Sequence, residues 1–127
     1  MKLFSSYYDN VRNLDIKEYT FVRVSRKEPP EWFQGIVESH VDLSETFGPS
    51  PAMLKECPPN ENWEMFEPRY NEEILGSIDK LSTLDLLTKI YGETGNRPLV
   101  LLCYETPSEN CHRHLISGFL GIEITEL

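Results

Sequence analysis

At 127 residues the chain is sized for one domain, spanning 1–127, long enough to bury roughly two thirds of its unfolded surface around a core. Its net charge of −9 excludes a protein that coats nucleic acid non-specifically, because neutralising phosphates needs an excess of Lys and Arg at the contact. Three cysteines without framework spacing and no signal-like segment after Met1 point to a reducing cytoplasm, and the longest apolar run, Pro98–Leu102, falls far short of the roughly 20 residues of a membrane helix.

Charge is unevenly spread. The first 27 residues carry six basic and three acidic side chains, so the remainder holds an excess of twelve acids, and a local anion site stays compatible with the composition. Lys2–Phe4 reads as a short edge strand, and Ser5–Leu14 as a helix with Tyr7, Val11 and Leu14 on one face. Tyr19–Val24 is β-branched and aromatic, a second strand that ends at Ser25-Arg26 before Pro29-Pro30. Glu31–Gly35 is a short helical turn anchored by Trp32 and Phe33. The proline-rich stretch Ile36–Pro59 reads as loop, with at most one helical turn over Ala52–Cys57.

Asn62 is placed to cap a helix over Trp63–Leu75, with Pro68 offsetting its stripe. A further helix starts at Ser82, carries Leu84, Leu87, Ile90 and Tyr91 along one side and ends near Gly92–Gly95. Leu99–Leu102 is apolar without alternation, as in an interior parallel strand covered on both faces. Trp63, Phe66, Leu84, Leu87, Leu115 and Phe119 are the core expected around it. After it, Thr106, Pro107 and Glu109 form a capping box that predicts a helix from about Pro107, ending at a left-handed Gly121. Ile122–Thr125 alternates and closes the chain with a short strand. This order implies an α/β sandwich, mostly parallel, with helices on both faces.

Chemistry concentrates between Cys103 and His114, which hold two of the three cysteines, two of the three histidines, two glutamates and an arginine. In open α/β sheets, ligands bind beyond the carboxyl ends of the strands, an edge that Cys103, Glu105, Thr106, Ser25 and Arg26 share. Cys103 is either a thiolate nucleophile, activated by the helix start, His112 and Arg113, or a buried thiol acting as a small hydrophobe. Cys111 faces inward or joins it, a Cys103–Cys111 redox pair being a third reading that a reducing compartment disfavours. Arg113 either reaches back over the turn to clamp an anion or pairs with Glu105 or Glu109.

Cys103, Cys111 and His114, with His112 as substitute, are the candidate metal donors. They lack the further Cys or His pair of a closed structural site, so no metal is expected. Neither a Gly-x-Gly-x-x-Gly nor a Walker loop follows any strand, and Cys103 and Arg113 are too far apart for a Cys-x5-Arg phosphatase loop.

The Leu-Leu-Cys-Tyr-Glu run followed by Cys-His-Arg-His-Leu, together with Ser-Ser-Tyr-Tyr-Asp-Asn-Val-Arg, Pro-Pro-Glu-Trp-Phe-Gln-Gly and Arg-Tyr-Asn-Glu-Glu-Ile-Leu, resembles the bacterial and phage family called domain of unknown function 488. The resemblance runs the length of the chain and is closest to the short members. It implies a single-domain Rossmann-like α/β fold and puts the family's motif positions on Cys103, Glu105, Cys111, His112 and Arg113. One departure is Val24–Pro29, where the family often has a glycine-containing turn; a ligand contacting that turn would differ here.

Two classes of function follow. The first is an enzyme acting on a nucleotide-like or other anionic small molecule. It would use Cys103 or Glu105 as reactive group, His112 as proton carrier, Arg113 as anion clamp, and Ser25, Arg26, Thr106 and Cys111 as further ligand contacts. The alternative is a non-catalytic ligand- or protein-binding module using the same pocket. No cofactor or oligomeric state is assigned.

Overall fold

Leu99–Cys103 has no exposed residue, and its alternation explains why. Leu99, Leu101 and Cys103 point into one apolar cluster, whereas Val100 and Leu102 point into a second on the opposite face of the sheet. A strand covered on both sides needs no polar alternation. The computed structural model describes residues 1–127.

In chain order the elements are β1 (Leu3–Tyr7), α1 (Tyr8–Val11), β2 (Thr20–Arg23), α2 (Phe33–Ile36), β3 (His40–Asp42), α3 (Ser44–Phe47), α4 (Pro51–Glu56), α5 (Trp63–Arg69), α6 (Lys80–Glu93), β4 (Leu99–Cys103), α7 (Arg113–Leu120) and β5 (Ile124–Glu126). The five strands form one sheet in the order β3-β2-β4-β1-β5, and every neighbouring pair is parallel. Helices α1 and α2 cover one face through Tyr8, Val11 and Phe33; α3 to α7 cover the other through residues such as Phe47, Met53, Phe66, Leu87 and Ile116. The chain therefore has a Rossmann-like α/β fold. No helix is long and apolar enough to cross a membrane.

Of the expected core, Phe66 and Leu87 are buried, and Trp63, Leu84, Leu115 and Phe119 are partly buried against the larger cluster. Several boundaries differ from the sequence reading. β1 lies inside the sheet, between β4 and β5, and takes in Ser5, Ser6 and Tyr7, so the first helix shrinks to one turn. The buried serines are tolerated because Ser5 donates to Glu126 at 2.7 Å and Ser6 accepts from Asn10 at 3.1 Å. The stretch read as loop holds β3, α3 and α4; α4 starts where Ser50 accepts from the Met53 N–H and Pro51 occupies the first turn. Helix α6 begins at Lys80, two residues before Ser82, because Asp79 caps it by accepting from the Ser82 N–H.

α5 contains Pro68 and gives way at once to a π-helical stretch, Tyr70–Ile74, then a 3-10 turn, Leu75–Ser77. Proline has no N–H for the carbonyl four residues back, and a widened turn accommodates it. The largest correction concerns α7, which starts at Arg113 rather than Pro107. The Thr106–Glu109 box does form, with the Thr106 N–H and hydroxyl both donating to Glu109 Oε1 at 3.0 Å, but it closes a single turn. Residues 110–112 then lead back to the sheet, His112 already in the right-handed helical conformation, and Cys111 and His112 become buried there.

Candidate functional site

β2 and β4 are adjacent and in register, with Arg23 opposite Leu102, so their carboxyl ends stop at one level. From there the chain leaves β2 toward β3 at one edge and leaves β4 past β1 toward β5 at the other. Loops that part in this way open a crevice at the strand ends. Here the crevice is a cleft of about 90 Å³, walled by Ser25, Arg26 and Lys27 after β2, by Tyr104 and Glu105 after β4 and by His112, with Pro49, Leu54 and Pro59 completing it.

Three side chains with metal-binding or nucleophilic atoms meet at this end of the sheet. Cys103 is the last residue of β4, and Cys111 and His112 arrive from the turn before α7; all three are buried. Cys103 Sγ lies 3.6 Å from His112 Nε2 and 3.9 Å from Nδ1, while Cys111 Sγ lies 3.7 Å from Nδ1. His112 Nε2 is 2.6 Å from the carbonyl oxygen of Val24, just past β2. A carbonyl only accepts, so Nε2 carries the hydrogen and donates it, and Nδ1 is left toward Cys111 Sγ, with Cys103 Sγ beside the ring and slightly nearer Nε2. Behind the imidazole, a stack of Trp63, Phe66 and Tyr70 ends with the Tyr70 ring 5.3 Å from His112. The Tyr70 hydroxyl is held in turn by the Phe47 carbonyl at 2.7 Å.

Burial pushes the Cys103 thiol well up, and the hydrogen bond and charge at Cys111 add to this. For Cys111 burial acts the same way, yet a hydrogen bond from Cys103 and the charges of His112 and Arg113 outweigh it and hold this thiol well below its ordinary value. Burial disfavours the charged form of His112, and the charge and hydrogen bond at Cys111 reverse that, so its pKa is raised. Glu105 is raised to about 6, first by burial and then by Cys111.

Of the residues expected at the site, Ser25, Arg26, Glu105 and His112 wall the cleft, and Cys103 and Cys111 touch His112. Thr106 sits on the outer turn, its hydrogen-bonding groups given to Glu109 and no helix starting there to attract an anion. Arg113 turns away from that turn: fully buried, it forks onto Glu126 through Nε and Nη2, each at 3.2 Å, rather than pairing with Glu105 or Glu109. Its third nitrogen, Nη1, is buried without a partner. His114 also goes to Glu126, at 3.4 Å, and takes no part in the cluster.

Lys27, Tyr104 and Tyr70 were not singled out by the sequence. Lys27 adjoins Arg26 at a strand end, which is a readable signal, and Tyr104 lies inside the Cys-Tyr-Glu run. Tyr70 falls on an apolar helical stripe and reads as core.

The family model described as "Active DUF488-N3 subclade" matches residues 9–122. No curated protein and no solved structure matches the chain.

Proposed function

This chain belongs to the DUF488 family, and on that premise we propose that it is a small enzyme acting on an anionic small molecule bound at the carboxyl ends of β2 and β4. One observation carries the reading. In a chain of net charge −9, Arg26 and Lys27 stand together at the cleft without an acidic partner for either. Arg26 spends Nε on the Pro49 carbonyl at 2.9 Å, and Lys27 lies over the Tyr104 ring at 4.6 Å. Cations left unneutralised in a crevice concentrate anions there.

The cleft's size limits what enters. At about 90 Å³ it holds the volume of roughly three waters, enough for a phosphate or carboxylate group with the rest of the molecule outside. Anion binding thus passes from Arg113, which is committed to Glu126, to Arg26 and Lys27. His112 has one nitrogen on the Val24 carbonyl and the other toward the sulfurs, and Cys103 and Cys111 have no exposed surface. Glu105, a carboxyl group in the cleft wall, is therefore the group left to move a proton to or from the bound molecule.

A thermal-shift screen with inorganic phosphate, sugar phosphates and nucleoside monophosphates tests the reading. A ligand present at a hundredfold over its Kd stabilises by about 2.7 kcal/mol. Arg26→Ala and Lys27→Ala should each lose most of that increment, while Glu105→Gln keeps it and stops conversion of the ligand, followed by mass spectrometry. Equal stabilisation of both cation variants overturns the anion site, and a ligand that wild type binds without converting it makes the protein a binding module.

A further inference from the structure

We propose that Cys103 Sγ, Cys111 Sγ and His112 Nδ1 form a three-ligand site for a thiolate-preferring divalent metal ion, best matched by zinc, with a fourth position left for water or a substrate atom. Zinc bonds of about 2.3 Å to sulfur and 2.0–2.1 Å to nitrogen set tetrahedral edges of about 3.5–3.8 Å between ligand atoms. The imidazole nitrogen lies 3.7 Å from one sulfur and 3.9 Å from the other, and all three donors lie within 4.8 Å of one another. Small side-chain adjustments close the set around an ion.

Two further features belong to a metal site rather than to a packed pair of thiols. His112 donates its other nitrogen to a backbone carbonyl at 2.6 Å, the outer contact that fixes tautomer and ring orientation in metal-binding histidines. Arg113 is wholly buried with Nη1 unpartnered, and its charge acts on both sulfurs. Two thiolates and a divalent cation together carry no net charge, which lowers the cost of burying the cluster beside it. Three protein ligands are the count of catalytic rather than structural zinc, and the cleft that shares His112 also holds Glu105. The sequence expectation of no metal rested on the missing further Cys or His pair of a closed structural site; the fold brings His112, the substitute for His114, to the two sulfurs, and an open three-ligand site needs no fourth protein donor.

This inference stands on the cluster and not on the anion reading. Cobalt(II) is the probe, titrated alone into the 127-residue chain after treatment with chelator. Wild type should bind one ion, with the near-ultraviolet thiolate-to-cobalt band and the intense visible bands of tetrahedral coordination, and zinc should bleach both. Cys57→Ser, at a buried cysteine outside the cluster, should keep the spectrum. Cys111→Ser and His112→Ala should bind at least tenfold more weakly or lose the bands. Wild type without a thiolate-to-cobalt band overturns the site with no variant needed, as does a Cys111→Ser spectrum equal to that of wild type. If phosphate fails to raise the Tm, the anion reading falls and the cobalt spectrum stands; a blank spectrum beside a phosphate-induced shift does the reverse.

Discussion

Arg113 carries a charge into the interior with no exposed surface, and Glu126 answers it with both carboxylate oxygens while also accepting from Ser5 at 2.7 Å. Removing one partner of such a pair leaves the other buried and unpaired, so Glu126→Gln should cost about 3–5 kcal/mol in chemical denaturation. Burial works against the Glu126 carboxylate, but hydrogen bonds from His114, Arg113 and Ser5 win and hold its pKa at about 2, below the ordinary 4.5. A depressed carboxylate adds stability that is complete above its unfolded pKa and lost as pH falls through the folded one. Wild type should therefore lose stability between about pH 4.5 and about pH 2, and Glu126→Gln should show a flatter loss across that window. That Arg113 is a special residue was legible in the Cys-His-Arg motif. Its partner was not, because Glu126 is read locally as one acid in a C-terminal strand, and only the pairing of β5 with β1 brings it across.

At the scale of elements, local chemistry was a good guide wherever the chain's own neighbours complete the interaction. Gly121 ends α7 with φ 69°, the left-handed conformation its type and position foretold. Gly121→Ala should cost about 1 kcal/mol from backbone strain, since the only neighbour its Cβ would crowd is the mobile end of Lys80. A substitution without effect in thermal melting would contradict that account. The Thr106–Glu109 box shows the limit of the same logic. Its hydrogen bonds form as read, yet they are equally at home in an isolated turn, and the helix waits until Arg113 because the intervening residues must reach the core beside β4. Likewise Ile36–Pro59 is too broken by proline to show periodicity, and its short elements exist by packing Phe47 and Met53 onto the sheet.

For the whole molecule, stability is predicted to concentrate on β4, whose five buried residues are all divided between the two apolar clusters. Leu101→Ala should destabilise by about 2–5 kcal/mol, since truncating a fully buried leucine leaves a cavity in close-packed surroundings. Leu81→Ala, at a side chain 70% exposed on α6, should stay within about 0.5 kcal/mol. Equal effects in urea denaturation would show that the sheet is not the organising core. The sequence by itself determined the α/β class, the doubly covered strand Leu99–Cys103 and the left-handed Gly121. All of these depend on residue type and spacing within a few neighbours. Tertiary structure alone decided which side chains meet: β1 inside the sheet, Arg113 with Glu126, His112 rather than His114 beside the two cysteines, and the Val24 carbonyl as its anchor. Those contacts join segments up to 121 residues apart, and sequence-local patterns carry no record of which distant strand a side chain will face.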